Sequence, residues 1–179
     1  MMQKHKMKSA EREKEYMPPA SVVKVLFVCT GNTCRSPMAE GIFRRLIENG
    51  AEQERIFCQS AGLSAVENMP VSENAVLACA DVDMDISAHK ARRIKPIDTQ
   101  IWDLYFTMSS THGYILEKAG VPGNKIYIPS YIPDPFGKDL DEYRKCREKL
   151  EKEVKIFYNT VVQRMLILKG GSVGSSYMD

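Results

Sequence analysis

No run in this 179-residue chain is apolar for the length a bilayer demands, so no membrane span and no membrane partner are expected. The N-terminus lacks the apolar core of a signal peptide. Residues 1–20 are mostly Lys, Glu, Met and Arg, end on Pro18-Pro19, and read as a solvated, flexible extension. Neither a CxxC pair nor an HExxH stretch occurs, and the three histidines (His5, His89, His112) are scattered, so no metal site and no cofactor are expected. Five cysteines (Cys29, Cys34, Cys58, Cys79, Cys146) are an odd number without an export signal. That argues against a disulfide framework and for free thiols in a reducing, cytoplasmic compartment. Neither sign of charge dominates: a net charge of +2 argues neither for nor against nucleic acid. No internal repeat is present. The hydrophobic share of 44% is ordinary for a globular protein and suits one domain over 21–168, followed by a flexible tail at 169–179.

What is present is an alternation of strand and helix signals. Residues 22–28 (VVKVLFV) are short, β-branched and almost wholly apolar, which predicts a buried strand. Ser36 and Pro37 predict a helix start, Ser36 as N-cap and Pro37 at the first helical position, with the helix running to Asn49 and stopped by Gly50. Further strands are predicted at 55–60, 101–108 and 125–128. Further helices are predicted at 73–80 after Ser72, from Ser110 or Thr111 to Gly120, and from Asp139 to about Leu168. Residues 83–95 and the proline-rich stretch 129–137 read as loops. The alternation implies right-handed βαβ units, hence an α/β three-layer sandwich: a four-stranded parallel β-sheet with helices on both faces. Ligands of such sheets sit beyond the carboxyl ends of the strands, where the segment after residue 28 and the proline-rich loop can meet.

The segment 25–37, VLFVCTGNTCRSP, carries the chemistry. A strand feeds a polar loop that starts on Cys29 and closes on Arg35 just before a helix. Gly31 and Asn32 tolerate left-handed backbone angles, so the loop can curl with its N–H groups turned inward. The helix adds the positive end of its dipole, and Arg35 adds a planar fork matched to two phosphoryl oxygens. Residues 30–34 (Thr30, Gly31, Asn32, Thr33, Cys34) and Ser36 are thus candidate phosphate-binding residues, with Cys29 poised beneath for in-line attack. The segment is neither the nucleotide-binding P-loop, lacking GKS or GKT, nor the dinucleotide fingerprint GxGxxG.

VLFVCTGNTCRSPMAE resembles the active-site loop of the low-molecular-weight protein tyrosine phosphatase family, and more narrowly its bacterial protein arginine phosphatase-like branch. The likeness spans about residues 22–168 and includes Ser60-Ala61-Gly62, the segment His89-Lys90-Ala91-Arg92, and Asp134-Pro135-Phe136-Gly137. It implies a cysteine-dependent phosphatase in which Cys29 attacks, Arg35 holds the dianion, and Asp134 protonates the leaving group and then activates water against a phosphocysteine. It implies that Asn32, Ser36 and His89 brace the loop, and that Cys34 can form a disulfide with Cys29, protecting it from over-oxidation. The implied partner is a phosphorylated protein, with no nucleic acid involved, and a monomer is expected.

Two residues bear on the substrate. By the resemblance, Thr33 stands where the tyrosine-specific branch typically carries an aliphatic residue, and Thr there is a selectivity determinant in the arginine phosphatase branch. Phe136 is followed by Gly137, where tyrosine-specific members often show two adjacent aromatics. Both lean towards phosphoarginine, with phosphotyrosine as the alternative. A more distant alternative is a thiol-dependent arsenate reductase, which needs further cysteines near the end of the second helix, where only Cys79 lies. A non-enzymatic anion-binding module is a third.

Overall fold

The structure, a computed structural model, describes residues 21–48 and 50–170. The extension expected over 1–20 and residues 171–179 of the expected tail lie outside the described residues. Four strands, β1 (Val23–Cys29), β2 (Ile56–Gly62), β3 (Leu104–Thr107) and β4 (Ile126–Tyr127), form one parallel sheet in the order β2-β1-β3-β4. On one face lie α1 (Arg35–Ile47), α2 (Glu73–Ala80), α5 (Leu140–Phe157) and α6 (Gln163–Gly170). On the other lie α3 (Asp98–Ile101) and α4 (Ser110–Lys118). The α/β three-layer expectation holds.

Alternation along β1 explains the sandwich. Val23, Val25 and Phe27 face the core beneath α1 and α5, while Leu26 and Val28 face Trp102, Tyr105 and Leu116. Phe27 is central, its ring 5.3 Å from Phe43 and 5.4 Å from Phe106.

Several elements differ from their predicted form, each for a local reason. Residues 101–108 are not one strand. Asp98 draws the chain into α3 by accepting from Lys95 N at 2.7 Å, Trp102 Nε1 at 2.9 Å and both arms of Arg92, leaving only Leu104–Thr107 in the sheet. Burial opposes ionisation of Asp98, but these donors hold its carboxyl below the ordinary range. The long C-terminal helix is interrupted by a π-helical turn at Tyr158–Val162. It also continues past 168, so Lys169 and Gly170 are helical rather than tail. There Lys169 Nζ donates to Val22 O at 2.9 Å and pairs with Asp103 at 2.7 Å, tying the helix end to the start of β1.

β1 leaves towards β2 on one side and neighbours β3 on the other, so its carboxyl end is the point where the strand order reverses. Cys29 is the last residue of that strand.

Candidate active site

The loop from Cys29 to Arg35 wraps the carboxyl end of β1. Asn32 is its corner, with φ 56°, a left-handed conformation that Asn accommodates. Its own N–H then points back to Cys29 Sγ at 3.2 Å. Gly31, expected to share this role, has no positive φ. The glycine the loop does require is Gly62 of β2, where a Cβ would lie 2.5 Å from Thr30 O and 2.9 Å from Asn32 N.

Ser36 differs from its predicted part. The helix begins at Arg35, with Cys34 at the N-cap and no side-chain cap. The fully buried Ser36 hydroxyl turns inward instead, 2.9 Å from Cys29 Sγ, and accepts from Asn32 Nδ2 at 2.8 Å. Asn32 is fixed from three further directions, and one of them extends the network. Its Nδ2 donates to Ser60 Oγ at 2.9 Å, its Oδ1 accepts from Arg92 N at 2.9 Å, its carbonyl lies 3.1 Å from His89 Nε2, and Ser60 Oγ passes the chain on to Glu40 at 2.7 Å. A buried polar network satisfied this fully holds one geometry. His89, Asn32 and Ser36 therefore all touch the loop.

The proline-rich segment after β4 is tied to α5 before it reaches the cleft. Ser130 N donates to Glu153 at 3.2 Å, Ile132 is buried, and Cys146 Sγ donates to Pro133 O at 3.5 Å. Beyond these anchors Asp134 reaches over the loop and pairs with Arg35 at 2.5 Å, across 99 residues of sequence. Phe136 N donates to the other Asp134 oxygen at 3.2 Å. Residues 29–35, Asp134 and Phe136 line one cavity of about 220 Å³, room for a phosphoryl group and part of a side chain. It holds every candidate of the loop except Ser36, which lies behind the sulfur. Among the described residues no cluster of His, Cys, Asp or Glu could hold a metal ion, and no helix is long and apolar enough to cross a membrane.

Three residues, Tyr143, Ser72 and His112, make contacts at the site that escape sequence reading. Tyr143 Oη on α5 lies 3.2 Å from Cys34 Sγ and accepts from Ser72 Oγ at 2.9 Å, while Ser72 N donates to Thr33 O at 2.8 Å. His112 in the first turn of α4 lies 2.9 Å from Thr30 Oγ1 and 2.7 Å from Ser109 Oγ. The N-cap of α4 is Ser109 rather than Ser110 or Thr111, because its hydroxyl is the one that meets His112 N, three residues on.

Burial and then the nearby Arg35 charge push the His112 imidazole down from 6.5 to about 4, against a smaller opposite pull from Asp134. The folded protein thus refuses a proton that the unfolded chain binds, and stability falls as pH drops from about 6.5 towards 4. The expected loss is on the order of 2 kcal/mol. Urea midpoints at pH 7 and pH 4.5 should converge in His112→Asn relative to wild type; an unchanged gap refutes this.

The family described as low molecular weight phosphotyrosine protein phosphatase matches residues 24–166. A protein-arginine-phosphatase of Bacillus subtilis (strain 168) is 31% identical over 137 residues, covering 72% of this chain and 89% of that protein. An arsenate reductase 2 of Staphylococcus saprophyticus is 33% identical over 136 residues, covering 75% and 95%. Among solved structures, a low molecular weight protein tyrosine phosphatase from T. tengcongensis superposes with a TM-score of 0.70 at 33% identity, covering 78% of this chain and 99% of that one. The match extends from the first strand through the long C-terminal helix, and the chain belongs to the low molecular weight phosphotyrosine protein phosphatase family, a family of hydrolases.

Proposed function

We propose that this protein hydrolyses phosphorylated protein side chains through a phosphocysteine intermediate, with protein phosphoarginine as its substrate class. One observation carries the mechanism: a thiol, an inward-turned loop, a guanidinium and a carboxylate from 99 residues away line a single small cavity. In the first step Cys29 sulfur attacks phosphorus while the bond to the leaving nitrogen or oxygen breaks, and Asp134 gives that atom a proton. In the second Asp134 takes a proton from water, which attacks phosphorus and releases Cys29. Arg35 and the N–H groups of the loop hold the dianion throughout, Arg35 exchanging its bond to Asp134 for phosphoryl oxygens.

The substrate reading rests on Thr33 and Phe136. Both line the cavity, and Phe136, about 72% exposed, is a single aromatic followed by Gly137. A threonine hydroxyl can accept from a guanidinium where an aliphatic side chain cannot, and one aromatic face stacks on a planar cation. A bacillary relative named protein-arginine-phosphatase supports this reading. Against a reductase relay, Cys79 at the end of α2 is fully buried, and burial pushes its thiol up to about 12.

The test compares a phosphoarginine and a phosphotyrosine peptide on wild type and Thr33→Ile. Wild type should favour phosphoarginine, and the substitution should shift the ratio of kcat/KM towards phosphotyrosine by about tenfold or more, the worth of one hydrogen bond to a charged group. A wild-type preference for phosphotyrosine that the substitution leaves alone overturns the substrate reading. Arsenate turnover coupled to thioredoxin would establish the reductase instead.

A further inference from the structure

Two of the five thiols, Cys29 and Cys34, line the same cavity; Cys58, Cys79 and Cys146 are buried outside it, each pushed up to about 12 mainly by burial. All five are free in this structure. The Cys34 sulfur is not loose. Ser72 Oγ donates to Tyr143 Oη, which leaves the phenolic proton of Tyr143 directed at Cys34 Sγ, 3.2 Å away. Ser72 N also holds the carbonyl of the preceding residue, Thr33. The phenol is buried and, by that burial first and its bond to Cys34 next, raised to about 12, so it keeps its proton at working pH. The helix that carries it, α5, buries Tyr143, Cys146, Leu150, Val154 and Phe157 in the core on that sheet face.

We propose that Tyr143, held by Ser72, is a positioning residue that restrains the Cys34 thiol and so sets how fast an oxidised Cys29 closes to a disulfide. This rests on reading Cys29 as the nucleophile of the site. With a peroxide as oxidant, the Cys29 thiolate takes one oxygen as the O–O bond breaks, giving the sulfenic acid and one water after proton uptake. The Cys34 sulfur then attacks the Cys29 sulfur. The S–S bond forms, the S–O bond breaks, and the departing hydroxide takes the Cys34 proton to leave as a second water. Two thiols lose two electrons and one peroxide gains them. Before the second step Cys34 must leave Tyr143, so that bond adds to the barrier. Meanwhile a second peroxide can carry the sulfenic acid on to the irreversible sulfinic acid. The ratio of disulfide to sulfinic acid therefore reports the closure rate against a fixed competitor.

The experiment oxidises the full chain with hydrogen peroxide, quenches by alkylation, and counts both products on Cys29 by mass spectrometry. Tyr143→Phe should raise the ratio of disulfide to sulfinic acid about fivefold at fixed peroxide, the worth of one neutral hydrogen bond. Ser72→Ala, which leaves the phenol in place but without its donor, should raise it about twofold. Cys34→Ser should give sulfinic acid only. The ratio should move several-fold more than kcat/KM on p-nitrophenyl phosphate, which a general loosening of the loop would not produce. An unchanged or lower ratio in Tyr143→Phe overturns the proposal; should that variant fail to fold, an unchanged ratio in Ser72→Ala does so. Wild type that yields only sulfinic acid also overturns it, and leaves the hydrolase reading intact as long as p-nitrophenyl phosphate is turned over.

Discussion

Cys29→Ser is expected to abolish hydrolysis of p-nitrophenyl phosphate, lowering kcat by at least about 10⁴-fold, with no activity restored by divalent metal. The sulfur sits where the loop converges, 3.2 Å from Asn32 N and 2.9 Å from Ser36 Oγ. A serine hydroxyl fits the same space and keeps both contacts, so the fold and the cradle should survive. Inorganic phosphate should still bind the variant, measured by calorimetry, because its donors are the loop amides and Arg35 rather than the nucleophile. Retained turnover, or turnover that requires metal, would show that the reaction does not pass through the thiol. Retained turnover with lost phosphate binding would point to a different site altogether.

Asp134→Asn should cost about 10²–10⁴-fold in kcat, and the cost should depend on the leaving group. p-Nitrophenolate departs with little need of a proton, so its loss should lie at the low end. An alkyl phosphate, whose alkoxide is a poor leaving group, should lie at the high end. Asparagine keeps the shape and can still accept from Arg35, so the change isolates the proton. The ion pair itself explains little: Asp134 is about half exposed, and an exposed pair contributes at most about 1 kcal/mol to stability. Equal losses for both leaving groups would remove Asp134 from proton transfer and leave it an orienting role for Arg35.

Much of this molecule is legible in the chain because its signals are local. The run at 22–28 predicted β1 within one residue, since an unbroken β-branched apolar stretch has few other fates. Asp139 was read as a helix start, and its carboxyl does accept from Glu142 N at 3.1 Å. Gly31 and Asn32 were both read as able to take left-handed angles, and of the two Asn32 does. Ser36 shows where local reading misleads. Its sequence context is that of an N-cap, but capping competes with a buried sulfur and a buried amide that also want the hydroxyl, and these lie on the inner side of the loop. The strand read over 101–108 exists as Leu104–Thr107 but starts late for a related reason: Asp98 gathers donors from residues 92, 95 and 102 and bends the chain into a helical turn first.

The sequence by itself determined the alternation of strands and helices, the nucleophile loop and the order of its parts. Those depend on backbone preferences and on residues within about seven positions of one another. Only the tertiary structure decided the strand order β2-β1-β3-β4, which places Cys29 where the order reverses. It turned the expected meeting of Asp134 with the loop into a contact with Arg35 across 99 residues, and it alone brought His112 to Thr30 across 82 and Tyr143 to Cys34 across 109. Contacts at such separations are fixed by how helices pack on a sheet through shared apolar faces, and a polar side chain carries no mark in the sequence of which distant partner that packing will present to it.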